Sequence, residues 1–409
     1  MKPQMKPPSP TLRPYRAFGI WHYPVHLMRG GTSSGLVLPG ALIPEEPALR
    51  DELLRHLMGV PLHGELPGNK QLTGLGRGTP TSNKVFLVDQ EEADGQFRLI
   101  STLAQLAAHT DAIDWRVNCG NLSSALPLWA LDMGWLNPDA DGLCRIRIRN
   151  TNTGVISDAS MSMEADQRLR SAAIPGVEGL WPEVHLYLNH PVGAKTGQLL
   201  PTGSARDVID GVEVSCVDVA VPMVLIRAAD LGKTAQESPA DLQSDPDFMA
   251  ALRRLWVKAA LKMRLRDASG RLLDERELAL SETLPKVAIL APGHGEARLC
   301  VRYFTPQQAH ASLAVSGACC IASACLVPGT IAHELAAMEL PAQNDDFRTE
   351  IALANPAGLL RARVEAEMDG MRIDILRVAY QRNTQILQRG HVPLYRASAA
   401  LAAALARIQ

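Results

Sequence analysis

The chain has 409 residues, of which 46% are hydrophobic and 21% are charged, and its formal net charge is −2 because Lys and Arg nearly balance Asp and Glu. This balance argues against a protein that binds nucleic acid or an anionic membrane, since such proteins carry a basic excess. No stretch approaches the roughly 18 consecutive apolar residues of a membrane span. We therefore expect a two-domain enzyme located in the cytoplasm.

The seven cysteines give no sign of a disulfide framework or a zinc site, because their number is odd, their density is low and no Cys-x-x-Cys pair is present. His22 and His26 have the i, i+4 spacing of two ligands on a helix, but Pro24 lies between them in a segment with an extended pattern. We expect no bound metal and assign most of the thiols to the core.

The chain is predicted to begin with a leader and two short strands. Residues 1–16 are basic and proline-rich with no apolar stretch after them, which indicates a disordered leader and not a signal peptide. Residues 17–27 and 36–38 have strand patterns, and between them lies Met28-Arg29-Gly30-Gly31-Thr32-Ser33-Ser34-Gly35. Its glycines and hydroxyl groups predict a tight turn whose backbone N–H groups can face an anion. Residues 47–58 predict a helix.

A second glycine-rich segment, residues 74–84, has the composition of a phosphate-binding loop but not its sequence. It lacks the Gly-Lys-Ser/Thr ending, and it leads into an apolar strand at residues 85–88 where a phosphate loop would open a helix. We therefore predict no nucleotide site. Residues 113–117 predict a strand that ends at Asn118-Cys119-Gly120-Asn121, and residues 122–133 have the spacing of a buried helix.

The rest of the chain supplies the other predicted elements, and part of it repeats this plan. Its predicted elements are a hairpin at 144–149 and 155–161, strands at 184–188, 287–290 and 297–303, an amphipathic helix at 241–262, a hairpin at 351–353 and 360–366, and a last strand at 372–378. Ser316-Gly317-Ala318-Cys319-Cys320 opens a small-residue helix, as the segment after Asn118 does.

These elements predict an α+β protein of two similar domains, each a mostly antiparallel sheet or barrel wrapped around a central helix. We place the first domain at residues 17–195, rejoined by about 380–409, and the second at residues 196–379. Two helix N-termini would then face one cleft between the domains, where we expect the active site.

Cys119 and Lys84 are the best candidates for acid–base chemistry. Cys119 lies where a helix should begin, and the free N–H groups there favour a thiolate. Lys84 follows a hydroxyl-rich loop and enters an apolar strand, so its amine can be partly desolvated. Arg29, beside the glycine turn, could bind a carboxylate through two hydrogen bonds. From local sequence alone, a buried structural cysteine, a solvated loop lysine and a surface arginine remain alternatives.

Six short motifs occur along the chain in order. They are Met28-Arg29-Gly30-Gly31-Thr32-Ser33, Thr81-Ser82-Asn83-Lys84-Val85, Asn118-Cys119-Gly120-Asn121-Leu122-Ser123-Ser124-Ala125, Thr196-Gly197-x-Leu199-Leu200-Pro201-Thr202-Gly203, Ser316-Gly317-Ala318-x-Cys320 and Pro328-Gly329-Thr330-Ile331. This series resembles the PrpF-type isomerase family, which includes 2-methylaconitate isomerases and 4-oxalomesaconate tautomerases. The resemblance runs from about residue 20 to about residue 395, and an Ala-rich helical tail at 396–409 lies outside it.

The resemblance implies the diaminopimelate-epimerase fold and a reaction that shifts a carbon–carbon double bond in an unsaturated tricarboxylic acid by 1,3-proton transfer, with no metal or organic cofactor. It implies that Lys84 and Cys119 form the acid–base pair and leaves open which of them is the base. The residues for which it implies substrate binding are Arg29, Gly31, Thr32, Ser33, Ser82, Asn118, Gly120, Asn121, His310, Ser316 and Gly317. The expected partner is a small anionic polycarboxylate, and a homodimer is the candidate assembly.

Three departures from the family pattern bear on the substrate. Ser34 stands where the family loop usually has lysine, Asn83 where a hydroxyl residue is common, and Ala379-Tyr380-Gln381-Arg382 where Arg-Thr-Ala-Arg is usual. Loss of a cation changes the charge of an anion site, so the usual tricarboxylate is not assured as the substrate.

Two other functions remain open. One is a racemase or epimerase that uses Cys119 with Cys319 or Cys320 as its second thiol, and the other is a non-catalytic accessory protein of a dehydratase.

Overall fold

The computed structural model describes residues 13–78, 82–93, 96–115, 118–267, 269–281, 284–339, 346–369 and 372–408, so most of the predicted leader lies outside the described residues. The chain divides into two compact units. Unit 1 contains the described residues up to Ala173, Val177–Leu186 and the described residues from Arg382 onward, and unit 2 contains Ile174–Gly176 and Tyr187–Gln381. No helix within the described ranges is long and apolar enough to cross a membrane.

The strands are β1 Tyr15–Ala17, β2 Ile20–Gly30, β3 Ser33–Pro39, β4 Lys84–Ala93, β5 Gln96–Leu106, β6 Ile113–Asp114, β7 Leu143–Asn150, β8 Ile156–Ser162, β9 Ser171–Ile174, β10 Val177–Asn189, β11 Asp207–Ile209, β12 Val212–Val219, β13 Val221–Arg227, β14 Lys286–Pro292, β15 Leu299–Thr305, β16 Gln308–Ala309, β17 Asp346–Asn355, β18 Gly358–Asp369 and β19 Arg372–Leu394. The α-helices are α1 Pro47–Met58, α2 Gly120–Ser123, α3 Leu126–Asp132, α4 Pro239–Gln243, α5 Pro246–Lys262, α6 Glu275–Leu280, α7 Val315–Ala324, α8 Ile331–Ala336 and α9 Ala399–Arg407. β10 and β19 each contribute residues to both units.

Both units pair their strands in the same alternating order. In unit 1, β2 is antiparallel to β3, β3 parallel to β4, β4 antiparallel to β5, β5 parallel to β7, and β7 antiparallel to β8. In unit 2, the series β12, β13, β14, β15, β17 and β18 repeats this order step for step. Each parallel step follows a helical crossover, as parallel pairing requires. The predicted internal repeat therefore extends to the whole strand series.

In each unit, helical residues that are mainly small and apolar pack against both ends of the strand series. In unit 1, α2 packs against β2 and β3 while α3 packs against β7 and β8, at the other end of the series. In unit 2, α7 packs against β12 and β13 at one end and β17 and β18 at the other. Residues 317–324 of α7 are all buried, and a Cβ on Gly317 would lie 2.6 Å from the Tyr303 ring. The predicted fold class, two similar α+β domains with a central helix, is confirmed.

Further helices pack on the strands of each unit and bury a second apolar core. In unit 1, Leu53 and Leu57 of α1 and Leu401 and Leu405 of α9 are buried against strand residues such as Leu36. The helix predicted in the Ala-rich tail is α9, and it begins where the Ser398 hydroxyl accepts a hydrogen bond from the Leu401 N–H at 3.0 Å. In unit 2, α5 has the equivalent place on the sheet.

Prolines divide two helices that the apolar spacing predicted as continuous. Residues 122–133 contain the end of α2 and all of α3, with Pro127 in the first turn of α3. Residues 241–262 contain the end of α4 and all of α5, which begins at Pro246. Proline has no N–H to donate inside a helix but is well suited to the first turn. Asp245 then caps α5 by accepting a hydrogen bond from the Phe248 N–H at 3.0 Å.

The first strand overlaps the end of the predicted leader, residues 1–16. Tyr15–Ala17 forms β1 and pairs with β2, and the Tyr15 ring stacks on His22 with 4.7 Å between the ring centroids. The chain first passes from unit 1 to unit 2 after Ala173, in β9, and passes again after Leu186, within β10.

Stability should depend on pH through His26, which is fully buried in β2 with Nε2 3.0 Å from Asp132 Oδ2, while Arg389 also binds that carboxylate. Burial lowers the pKa of His26 below its ordinary 6.5 in spite of Asp132. Below about pH 6.5 the unfolded chain takes up a proton that the folded chain resists, so the free energy of unfolding should fall. Urea unfolding from about pH 7.5 to about pH 5.5 measures this, and the slope should be shallower in His26→Gln. An equal slope in that variant would contradict the assignment.

Candidate active site

The glycine-rich segment between the first two long strands is a two-residue turn. Gly30 pairs with Ser33 at the ends of β2 and β3, so only Gly31 and Thr32 lie outside the strands. The segment predicted as a turn, residues 28–35, is thus mostly strand, since Met28, Arg29 and Gly30 pair with Gly35, Ser34 and Ser33. Gly31 has a φ of +53°, and a Cβ there would lie 2.5 Å from Asn121 Oδ1. The glycine is needed because the start of α2 packs directly on this hairpin.

Lys84 is the first residue of β4, which lies beside β3. Leu36 is paired with Val85 in this parallel ladder, which brings Lys84 next to the start of β3. The Lys84 side chain is only 8% exposed, and its Nζ donates to Ser33 Oγ at 3.5 Å, the long end of the hydrogen-bond range. Within the described ranges no carboxylate forms an ion pair with Lys84, so the solvated-loop alternative does not describe this side chain.

Asn83, the residue before Lys84, forms hydrogen bonds through its side chain and its backbone carbonyl. Its side chain is 1% exposed, and Oδ1 accepts a hydrogen bond from the Arg77 N–H at 3.3 Å. Its carbonyl accepts from the Leu106 N–H and from Gln105 Nε2, both at 2.9 Å. The backbone carbonyl of Asn83 therefore joins the loop to β5, while its side-chain Oδ1 bonds the Arg77 N–H within the loop. A shorter hydroxyl side chain would not reach as far.

Cys119 is the N-cap of α2. Its Sγ accepts a hydrogen bond from the Leu122 N–H at 3.5 Å and lies 3.7 Å from Ser33 Oγ. Of the seven cysteines, all described and all free thiols, Cys119 alone is not buried. It is therefore the thiol that a solute can reach, and the alternative of a buried structural cysteine does not hold.

Ser33 is the point at which the two candidate groups converge. Lys84 and Cys119 are distant along the chain, yet both contact the Ser33 hydroxyl. All three residues belong to unit 1, and Ser33 is only 3% exposed. Among the described residues, no direct hydrogen bond joins the amine to the thiol. The Ser33 hydroxyl therefore lies between the Lys84 amine and the Cys119 thiol, either of which can carry a proton.

Beside the triad of Lys84, Ser33 and Cys119, three polar side chains are joined by hydrogen bonds, and one of them was not predicted from the sequence. Asn121 Nδ2 donates to Thr32 Oγ1 at 3.2 Å, and Arg382 Nε donates to Asn121 Oδ1 at 2.9 Å. Arg382 comes from the middle of β19, and its side chain also lies over Gly31. Its only sequence signal was its place at the end of the divergent 379–382 motif.

Arg29 makes structural contacts. Its Nη1 donates to the Gly31 carbonyl at 2.9 Å and to Asn383 Oδ1 at 2.7 Å, and the guanidinium lies 5.5 Å from the centre of the Trp181 ring. Nη2 is buried with no hydrogen-bond partner in the described part of the chain. Burial lowers the pKa of Arg29 from its ordinary value. These contacts tie the hairpin to β19, and carboxylate binding by Arg29 stays a prediction.

Ser34 lies on the opposite face of the sheet from Ser33. It pairs with Arg29 across β2 and β3, two residues from the pair Leu27 and Leu36, which belongs to the core under α1 and α9. Successive side chains of a strand point to opposite faces. The residue at position 34 therefore shares the face of Arg29 and not that of Lys84, Ser33 and Cys119.

The other residues with implied binding roles lie in both units. Asn118 and Gly120 flank Cys119 in exposed positions, with Asn118 Oδ1 accepting from the Cys119 N–H at 2.7 Å, and Ser82 is 9% exposed. In unit 2, Ser316 and Gly317 lie in the first turn of α7. His310 Nδ1 accepts from the Ser312 N–H at 2.9 Å. Their contact with a substrate stays a prediction.

The second thiol of a two-cysteine enzyme is not offered by Cys319 or Cys320. Both lie inside α7 and are fully buried, and Cys320 Sγ donates to the Val217 carbonyl at 3.5 Å. Burial also raises the pKa of the Cys320 thiol well above its ordinary value. Both features disfavour a thiolate that meets a solute.

The described residues contain no group of three or more His, Cys, Asp or Glu side chains that could hold a metal ion. The helical spacing of His22 and His26 has no consequence, because the two lie on strand β2 and contact Tyr15 and Asp132 respectively.

Comparison with known proteins gives consistent results. The family model described as PrpF protein matches residues 20–395. A putative isomerase of Escherichia coli, YbhH, is 31% identical over 374 residues, which cover 91% of this chain and 99% of that protein. The 4-oxalomesaconate tautomerase of Pseudomonas putida is 31% identical over 85% of this chain and 91% of its own length. The crystal structure of a methylitaconate-delta-isomerase superposes with a TM-score of 0.75 at 25% identity, covering 94% of this chain and 97% of that one.

Proposed function

The chain belongs to the PrpF family and is an isomerase, and from this premise we propose that it moves a carbon–carbon double bond in an unsaturated tricarboxylic acid by 1,3-proton transfer. Lys84 and Cys119 are the acid–base pair of this proposal. Candidate substrates are 4-oxalomesaconate, 2-methylaconitate and aconitate. The observation that carries the proposal is the convergence of the Lys84 amine and the Cys119 thiol on one buried hydroxyl, that of Ser33.

The reaction needs one group to remove a proton and another to return one two carbons away. A hydrogen on a carbon next to an alkene that is conjugated with a carboxylate or oxo group is acidic, because its removal gives a dienolate. One member of the pair takes this proton, and the other protonates the far allylic carbon. Since both transfers use side chains, the proposal requires no metal or organic cofactor, and dialysis against a chelator should leave kcat unchanged.

The charge of the dienolate and of the carboxylates calls for nearby donors. The Thr32 hydroxyl and the Asn121 amide lie beside the triad, and Arg382 adds a guanidinium that binds Asn121. We assign the substrate carboxylates to this group first. Asn118, Gly120 and Ser82 are further candidates in unit 1, and His310, Ser316 and Gly317 are candidates from unit 2.

Deuterium incorporation tests the proposal. In D2O the protein should convert at least one of the three acids, and NMR should show the double bond moved and deuterium, in a fraction of the product, at the carbon that gains a hydrogen. The matched control is a set of α-amino acids that includes proline. Exchange at an amino-acid α-carbon without bond migration would favour the two-thiol racemase instead. Binding of the acids without turnover would favour the hypothesis of a non-catalytic accessory protein.

A further inference from the structure

The Ser33 hydroxyl lies between the two groups that exchange protons with the substrate. Building on the proposed function, we propose that Ser33 relays a proton between Lys84 and Cys119 and so resets the pair after each turnover. Its role is transfer between two side chains and not contact with the substrate.

A reset is needed because the reaction leaves the protein in a different form. The substrate loses one proton and gains another, so its composition is unchanged. The group that acted as base now carries an extra proton, and the group that acted as acid lacks one. The next substrate molecule meets the wrong protonation form until one proton has passed from the first group to the second.

The Ser33 hydroxyl can carry that proton because it is both a donor and an acceptor. If Lys84 is the base, its ammonium gives a proton to Ser33 Oγ while the hydroxyl proton of Ser33 passes to the Cys119 thiolate. An N–H bond breaks, an S–H bond forms, and the serine ends as it began. If Cys119 is the base, the same steps run in reverse, and neither direction needs another reactant.

Burial favours this internal route over exchange with water. Ser33 is 3% exposed and Lys84 is 8% exposed, whereas Cys119 is partly exposed. A proton on the Lys84 amine therefore has limited access to solvent but a direct contact at 3.5 Å with Ser33 Oγ, which lies 3.7 Å from the Cys119 sulfur.

Rapid-quench kinetics with Ser33→Ala tests the relay. The first turnover should proceed near the rate of the unmodified protein and give about one product per site, and later turnovers should be at least about tenfold slower. Small buffers such as imidazole should speed the slow phase by carrying the proton. Ser33→Thr keeps a hydroxyl and should show no burst. Ser34→Ala is the matched control, because its hydroxyl lies on the other face of β3.

Other results would overturn the relay. They are an equal loss in the first and later turnovers, a rise in KM alone, and kinetics unchanged from the unmodified protein. An unmodified protein that isomerises none of the acids would instead refute the proposed function, and the relay with it.

A crossover experiment on the unmodified protein covers the case in which Ser33→Ala fails to fold. Deuterated substrate is mixed in H2O with the same acid labelled with ¹³C but not with deuterium. Deuterium should appear in the ¹³C product, because the pair keeps a substrate-derived proton between turnovers. Product with no deuterium above background would overturn the relay.

Discussion

Replacing Lys84 with methionine should lower kcat by about a thousandfold, the scale of a lost general acid or base. Methionine fills a similar length of space but can neither accept nor donate a proton. Because no described carboxylate is paired with the Lys84 ammonium, its removal leaves no opposite charge stranded. We therefore expect thermal unfolding of Lys84→Met to change little. Initial rates of double-bond migration at saturating substrate measure the effect.

Two variants test whether the loss of activity in Lys84→Met comes from the lost proton transfer, from the lost positive charge or from replacing a lysine as such. Lys84→Arg keeps the positive charge but holds its proton at all working pH values, so it should be about as inactive as Lys84→Met. Lys70→Met removes an exposed lysine of the same unit and should keep full activity. Full kcat in Lys84→Met would show that the amine takes no part in proton transfer.

The spacing of apolar residues along the chain predicted most of the strands and the positions of the main helices. β7 shows why, since Cys144, Ile146 and Ile148 point inward while the intervening arginines point outward. The fold class followed from the two small-residue helices, one in each half. The parallel pairs, by contrast, depend on which strands meet after a helical crossover, and residue periodicity carries no information about that step.

The sequence identified most residues of the candidate site, but it did not show how their side chains are placed relative to one another. The pattern around Gly31 indicated a loop for an anion, whereas the glycine serves to let Asn121 approach the hairpin. The register of β2 and β3 decides which side chains face Lys84, and a shift of one residue would exchange Ser33 for Ser34. The loss of a lysine at position 34 therefore changes charge on the Arg29 face. Arg382 was missed because its contact with Asn121 joins segments 261 residues apart.

Replacing Cys119 with alanine should lower kcat by about a thousandfold as well, for the same reason as at Lys84. The change also removes the acceptor for the Leu122 N–H, so some stability should be lost with the activity. Cys119→Ser separates these effects, because a hydroxyl can cap α2 but is a far weaker acid than a thiol. We expect Cys119→Ser to keep its thermal stability and to be about as inactive as Cys119→Ala.

Alkylation provides an independent measure, because Cys119 is the one thiol of the seven that is not buried. Iodoacetamide should modify about one thiol per folded chain, since the thiolate that reacts must be accessible. Activity should fall in step with that modification, and a bound polycarboxylate should slow both. If Cys119→Ser kept full kcat, or if the alkylated protein remained active, the thiol would have no place in the reaction, and Lys84 would have to serve both carbons alone.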